Sequence, residues 1–275
     1  MKCGYVAVLG RPNAGKSSLV NFLVGEEVAI VSHRKQTTRN SILGIKNGAG
    51  YQIIFVDTPG IHHSKNKLDK FMMKNVRSAL AGADVVLYLF DGTKELDEEE
   101  LQYIEMLKSK TENLILLQTK ADKTQLDHKI DAMQVSAENG KNVDILLNEI
   151  VKLLPENNAV YDEDYYTDKS ISFLVAEKIR GILLNNLDKE IPHGVAVVIN
   201  SFNETYDKVF IEADIVCERE QHKGIIIGKA GSFLKKVGQE TRVYVEDLLE
   251  KQCILKLFVK VEKDWRDKNT QDFGY

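Results

Sequence analysis

Gly10-Arg11-Pro12-Asn13-Ala14-Gly15-Lys16-Ser17 spells G-x-x-x-x-G-K-S directly after the apolar run Tyr5-Val6-Ala7-Val8-Leu9, which reads as a strand. The segment from Ser17 to Val24 reads as a helix. A strand, a glycine loop and a helix in that order form a cradle for phosphate. The glycines let the backbone curl so that successive N–H groups face phosphate oxygens, and the helix N-terminus adds partial positive charge. In such a loop Lys16 is placed to neutralise the β- and γ-phosphates and the Ser17 hydroxyl to hold Mg²⁺. The expected contacts run from Gly10 through Arg11, Pro12, Asn13, Ala14, Gly15, Lys16 and Ser17 to Ser18.

Further along, Ile53-Ile54-Phe55-Val56 is an apolar strand ending in Asp57-Thr58-Pro59-Gly60, a D-x-x-G turn. A carboxylate there reaches Mg²⁺ through water, and the Gly60 N–H suits a γ-phosphate oxygen. Leu114-Ile115-Leu116-Leu117 leads into Thr119-Lys120-Ala121-Asp122, and Val135 precedes Ser136-Ala137. This order names the base as guanine. Asp122 can accept paired hydrogen bonds from guanine N1–H and the exocyclic amine, where adenine offers no matching donors, and a site built on such pairing discriminates by about 10⁴ to 10⁵. The Lys120 stem would lie along the purine face and the Ala137 N–H would meet O6. The polar stretch from Ser32 to Arg39 is where a nucleotide-sensing loop must lie; Thr38 is the expected Mg²⁺-sensing hydroxyl and Thr37 the alternative. Loss of the γ-phosphate is expected to release this loop and residues 60 to 70. Lys16, Thr38 and Gly60 are the candidate catalytic groups. Ile61 stands where a water-orienting glutamine would serve hydrolysis, so intrinsic turnover should be slow. His62 and His63 read as solvated side chains rather than bases.

At 275 residues with 43% hydrophobic content, the chain suits two globular domains. No apolar run approaches a membrane span. The first strand begins within a few residues of Met1, which leaves no room for a signal peptide. Cys3, Cys217 and Cys253 are odd in number and far apart, so they read as reduced thiols of a cytoplasmic protein. The net charge of -4 gives no global nucleic-acid signal, and residues 221 to 275 hold only 11 Lys or Arg against 8 Asp or Glu.

Pro155 stops an amphipathic helix that starts at Val143, which bounds a first domain at residues 1–155; a polar, acidic linker occupies 156–170. Ser41 to Lys46 and Tyr51 to Val56 flank Asn47-Gly48, a hairpin signal. The first domain therefore reads as an α/β P-loop domain whose sheet is mostly parallel with one antiparallel strand. In the second domain, 171–275, a helix from Ile171 to Leu187 precedes two strands, Val195 to Asn200 and Val209 to Val216, joined by a turn around Asn203 to Asp207. A short helix, the turn Gly228-Lys229-Ala230-Gly231, a long helix to about Lys251 and a strand Cys253 to Val261 complete it. This α-β-β-α-α-β order with G-x-x-G between helices resembles the α+β type II KH fold. The resemblance implies single-stranded RNA held at Gly228, Lys229, Ala230 and Gly231, with Lys223, Lys235 and Lys236 beside them. Trp265 and Arg266 either cap the second core or face a partner.

The chain as a whole resembles the Era family of bacterial GTPases with a C-terminal KH domain. The carriers are Gly10 to Ser18, Gln36-Thr37-Thr38-Arg39, Asp57 to His62, Ser136-Ala137, Ala176 to Arg180 and Lys223 to Gly231. That resemblance implies a GTP-hydrolysing, Mg²⁺-dependent switch that binds the 3′ end of 16S ribosomal RNA and acts in assembly of the small ribosomal subunit, as a cytoplasmic monomer. Peripheral association with the cytoplasmic face of the inner membrane rests on the resemblance alone. It also implies K⁺ bound with the help of Asn13, which joins the catalytic candidates. One departure is Thr119, where the family usually has Asn; the shorter hydroxyl reaches less far, so lower nucleotide affinity is expected. Two other readings stay open: a GTPase of tRNA modification or large-subunit assembly, whose members carry domains this chain lacks, and a non-catalytic guanine-nucleotide sensor in cell-cycle or membrane control.

Overall fold

The structure is a computed structural model of the chain and describes every residue except His33, Lys35, Gln36, His63 and Tyr275. Two compact units are present: Met1–Val31, Thr38–His63 and Met72–Asp168 form one, and Ser32–Thr37, Ser64–Phe71 and Lys169–Tyr275 the other.

The first unit contains β1 (Lys2–Gly10), α1 (Lys16–Val24), β2 (Ile42–Gly48), β3 (Tyr51–Asp57), most of α2 (Lys67–Ala81), β4 (Val85–Asp91), α3 (Glu98–Lys110), β5 (Leu114–Thr119), β6 (Met133–Gln134) and α4 (Val143–Leu153). Its strands order as β2-β3-β1-β4-β5-β6, parallel except for β2 against β3. β1 and β4 are apolar on both faces and wholly buried in their middles, the pattern of central parallel strands covered by helices on both sides. β4 carries no nucleotide motif and escapes a motif-led reading. Lying between β1 and β5, it sets the spacing of the phosphate loop and the base-reading loop.

The hairpin turn differs from the expected one. Asn47 pairs with Gln52 and Gly48 with Tyr51, so the two-residue turn falls on Ala49-Gly50, with Gly50 at φ +80°. The Asn47 side chain is drawn into the sheet, accepting from Gln52 Nε2 at 2.8 Å and donating to the Glu163 carbonyl at 2.9 Å. The Tyr51 ring lies over Gly48, where a Cβ would come within 2.2 Å of Cζ.

Residues 156–168 lie along the first unit as a strap. Asn157 N–H donates to the Met1 carbonyl, and buried Gln52 accepts from the N–H groups of Val160 and Tyr161. Ile45 N–H then donates to the Tyr166 carbonyl at 2.9 Å, which covers edge strand β2. The stretch is aperiodic because backbone bonds hold it rather than an apolar face.

The second unit contains α5 (Ile171–Asn186), β7 (Ala196–Glu204), β8 (Lys208–Cys217), α6 (Glu220–Ile227), a 3₁₀ turn (Lys229–Gly231), α7 (Ser232–Leu249) and β9 (Gln252–Val261). β7 pairs antiparallel and β9 parallel with β8. Val175, Ile179 and Leu183 of α5, Ile226 of α6 and Val237 and Val245 of α7 bury against Ile211, Ala213 and Ile215 of β8. The strands run further than expected, shrinking their turn to residues 205–207. Trp265 is fully buried, donates from Nε1 to the Gly194 carbonyl at 2.9 Å and packs on Phe273, so it caps this core. Arg266 pairs with Glu218 at 2.8 Å. All three cysteines are free and buried, and burial pushes the Cys253 thiol up to about 11. Among the described residues no helix is long and apolar enough to cross a membrane.

Candidate functional site

The phosphate loop turns where only glycine fits. Gly10 sits at φ +148°, and a Cβ there would lie 2.3 Å from the Leu89 carbonyl oxygen. Gly15 at φ 87° caps α1 without a side-chain hydrogen bond, which leaves the helix N-terminus to a ligand's oxygens. Lys16 is 6% exposed, and its Nζ donates to the carbonyls of Gly10 at 3.1 Å and Arg11 at 3.0 Å. Burial brings its ammonium down to about 8 against the opposing pull of Asp57. The Arg11 side chain turns away from this loop to Asp97, the N-cap of α3, and to Glu99 at 3.1 Å, so its backbone alone faces the phosphate side.

Three oxygen ligands meet beneath the loop. Ser17 Oγ donates to Asp57 Oδ2 at 2.7 Å, and Thr38 Oγ1 lies 2.9 Å from Ser17 Oγ and 3.3 Å from the same carboxylate oxygen. Asp57 is fully buried, which raises its carboxyl to about 6 even beside Lys16, and its Oδ1 has no hydrogen-bond partner among the described residues. Two hydroxyls and a desolvated carboxylate with an unsatisfied oxygen form a hard-oxygen set that fits Mg²⁺. Of the two candidate threonines it is Thr38 that joins them; Thr37 Oγ1 donates to the Arg34 carbonyl. Gln36 lies outside the described residues.

The D-x-x-G turn lies against the phosphate loop. Ile61 N–H donates to the Gly10 carbonyl at 3.1 Å, Thr58 Oγ1 donates to the Val8 carbonyl at 2.8 Å, and a Cβ on Gly60 would come within 2.7 Å of Pro12 N. Ile61 packs its side chain on the sheet core. His62 Nδ1 sits 2.7 Å from the Gly60 carbonyl oxygen, and His63 lies outside the described residues.

At the other end of the loop, Thr119 Oγ1 reaches the carbonyls of Ala14 and Phe90, both at 2.9 Å, so the shorter hydroxyl still ties the base loop to the phosphate loop. Ser136 Oγ donates to Asp122 Oδ1 at 2.7 Å, which holds that exposed carboxyl below its usual range and fixes its direction; Ala137 follows in the same turn. Lys120, at φ 60°, extends its ammonium to Asp91 Oδ2 at 2.6 Å. Asp91 was not a sequence candidate. Its signal is the apolar run Val85–Phe90 ending, like β3 and β5, in a polar residue at the strand's C-terminal edge.

In the second unit Gly228 ends α6 at φ 76°, ψ 171°, where a Cβ would meet Phe233 Cβ at 2.8 Å. Lys229 and Ala230 are exposed, and Gly231 at φ 76° begins α7 without a side-chain cap. Lys235 and Lys236 are exposed along the start of α7, Lys236 Nζ bonding Asn186 Oδ1 at 2.7 Å, and Lys223 is half-buried on α6. This is a lysine-flanked glycine turn between two helices, of the kind that meets a nucleic-acid backbone.

Comparison with known proteins agrees with this geometry. The family model described as 50S ribosome-binding GTPase matches residues 5–120, and that of the KH domain matches residues 190–266. GTPase Era of Thermoanaerobacter sp. (strain X514) is 44% identical over 292 residues, covering 100% of this chain and 96% of the relative. The chain belongs to the Era family of GTPases. GTPase Era of Clostridium acetobutylicum is 42% identical, over 97% of this chain and 94% of its own. Among solved structures, Era in complex with MgGDPNP and nucleotides 1506–1542 of 16S ribosomal RNA superposes with a TM-score of 0.94 at 35% identity, covering 100% of this chain and 99% of that one. An Aquifex aeolicus Era variant bound to GDP·AlF₄⁻ gives 0.95 at 35% identity with the same coverage. As an Era GTPase, the chain joins a P-loop G domain to a C-terminal KH domain.

Proposed function

We propose that this Era family GTPase is an RNA-binding switch that engages the single-stranded 3′ end of 16S ribosomal RNA and acts in assembly of the small ribosomal subunit. The observation that carries the reading is the pairing, in one chain, of the Ser17–Thr38–Asp57 oxygen cluster with the exposed Gly228–Gly231 turn, along a length matched throughout by Era proteins, one of them solved with that RNA.

In this reading Asp122, Lys120 and Ala137 take the guanine, and Gly10 to Ser18 wrap the phosphates. Ser17, Thr38 and Asp57 would hold Mg²⁺, which when bound neutralises charge on the β- and γ-phosphate oxygens. Lys16 spreads the charge that develops as water attacks the γ-phosphorus in line and the bond to the GDP oxygen breaks, and the Gly60 N–H steadies a γ-oxygen. Ile61, partly buried against the core, orients no water, so turnover calls for an added positive charge. Asn13, held at φ 66° within the loop, is the residue we assign to a K⁺ ion in that role. We place the protein in the cytoplasm as a monomer, with membrane contact, where it occurs, peripheral on the cytoplasmic face.

The G-domain family description names the 50S subunit, but it covers residues 5–120 alone, whereas the Era resemblance spans both domains. The test is GTP hydrolysis in KCl against NaCl, with a single-stranded RNA of the 16S 3′ end, with a 23S fragment, or with none, comparing the wild type with Gly228→Asp. Stimulation by K⁺ and by the 16S strand, the latter lost in the variant, is the expected result. Equal rates with all RNAs would sink the RNA coupling, and GTP binding without turnover would favour the sensor reading.

A further inference from the structure

We propose that Asp91, at the end of β4, is a positioning residue for guanine recognition: it holds the Lys120 ammonium so that the lysine stem is laid out for the purine face before the nucleotide arrives. The inference rests on the guanine reading of Lys120 and Asp122.

The carboxylate is fixed from both sides. Asp91 Oδ2 accepts from Lys120 Nζ at 2.6 Å, while Oδ1 accepts from the Thr93 N–H at 3.1 Å and from Thr93 Oγ1 at 2.7 Å. The Asp91 side chain is 10% exposed and that of Lys120 30%, so the pair lies at the rim of the sheet rather than in open solvent. Lys94 approaches the same oxygen at 3.4 Å but is 66% exposed, a competitor that solvent weakens. Burial alone would raise the Asp91 carboxyl, yet the hydrogen bonds from Lys120 and Thr93 outweigh it and hold it at about 2, so the anchor stays charged throughout the neutral range.

The backbone binds the same two turns together. Asp91 is the register partner of Thr119, Gly92 N–H donates to the Thr119 carbonyl at 3.2 Å, and Gln125 Nε2 donates to the Lys120 carbonyl at 2.7 Å. Gly92 admits this packing because a Cβ there would lie 1.8 Å from Gln125 Oε1. Lys120 itself occupies the left-handed region at φ 60°, a conformation that neighbouring bonds must maintain. Asp122 is aimed by Ser136 in the same manner, so each of the two base-reading side chains has its own holder. A four-carbon stem ordered during folding loses no rotamer freedom at the moment of binding, and that is where preorganisation raises affinity.

The experiment measures GDP and GTP dissociation constants of the full chain with a fluorescent nucleotide. Asp91→Asn is expected to weaken both about tenfold, the scale of one charge-assisted hydrogen bond. Lys120→Met should lose a similar amount, and the double variant should fall no more than about twofold below Lys120→Met alone, because the carboxylate acts through the lysine. Asp91→Glu should recover most of the loss. Wild-type affinity in Asp91→Asn, or losses that multiply in the double variant, would overturn the proposal. Should Asp91→Asn fail to fold, Thr93→Val keeps the charge but frees the carboxylate, and its affinity decides: weaker binding supports the anchor and unchanged binding refutes it. Asp122→Asn tests the underlying reading separately, since an amide suits the C2 carbonyl of xanthine; unchanged guanine preference there would remove the guanine site itself, whatever Asp91 does.

Discussion

Two glycine turns in this chain each feed a helix N-terminus and each carry a lysine, yet they solve different problems. At Gly10–Ser17 the lysine is 6% exposed, its carboxylate neighbour is fully buried, and both groups are displaced from their ordinary pKa values by desolvation. At Gly228–Gly231 the lysine is exposed and the helix behind it presents further exposed lysines. The first turn recognises one small polyanion by converging buried groups whose charges gain strength from the dry surroundings. On the proposed function, the second meets a long, hydrated polyanion by backbone shape and surface charge, where each contact is modest and screened by salt. Buried convergence suits affinity for one ligand; an exposed turn suits tolerance along a strand.

The comparison can be broken most sharply at the lysines and glycines themselves. Lys16→Ala removes the buried positive charge near the Asp57 carboxylate, and GTP affinity measured by calorimetry should fall by roughly 10² or more. An effect under tenfold would mean that the loop is not a buried-charge site. Next, Gly228→Ala combines a glycine-only backbone region with a collision against Phe233, so urea unfolding of the second unit should lose about 2 to 4 kcal/mol. Gly231→Ala, with open space around the new Cβ, should lose only about 1 to 2 kcal/mol. Equal losses would show that steric packing does not distinguish the two ends of the turn. The smallest effect is expected for Lys235→Ala, which should lower the slope of log affinity against log salt for single-stranded RNA by about 0.7 while leaving GTP affinity unchanged. An unaltered slope would take that lysine out of the electrostatic footprint.

Much of this was legible in the residues. Motif-bearing strands showed themselves because the residues that touch phosphate or base must stand at strand ends in a set order, and the helix–glycine–helix order of the second unit was equally plain. Less visible were β4, an apolar run with no motif, and the strap at 156–168, held by the side chains of Gln52, Asn47 and Asn157 and a series of backbone bonds. The turn of the first hairpin was misplaced by two residues because Asn47-Gly48 is a strong local signal that cross-strand bonds and the Tyr51 ring override.

The sequence by itself determined the two domain classes, the order of the nucleotide motifs at the strand ends and the glycine turn between two helices of the KH domain, because those features depend on residue types a few positions apart. Only the tertiary structure decided that Thr38 rather than Thr37 meets Asp57, that Arg11 spends its side chain on α3, that Trp265 caps the second core and that Asp91 holds Lys120. Each of those pairings joins positions distant in the chain, 29 residues apart for Asp91 and Lys120 and 71 for Trp265 and Gly194, and local spacing carries no record of which buried group the folded sheet will bring within hydrogen-bond reach.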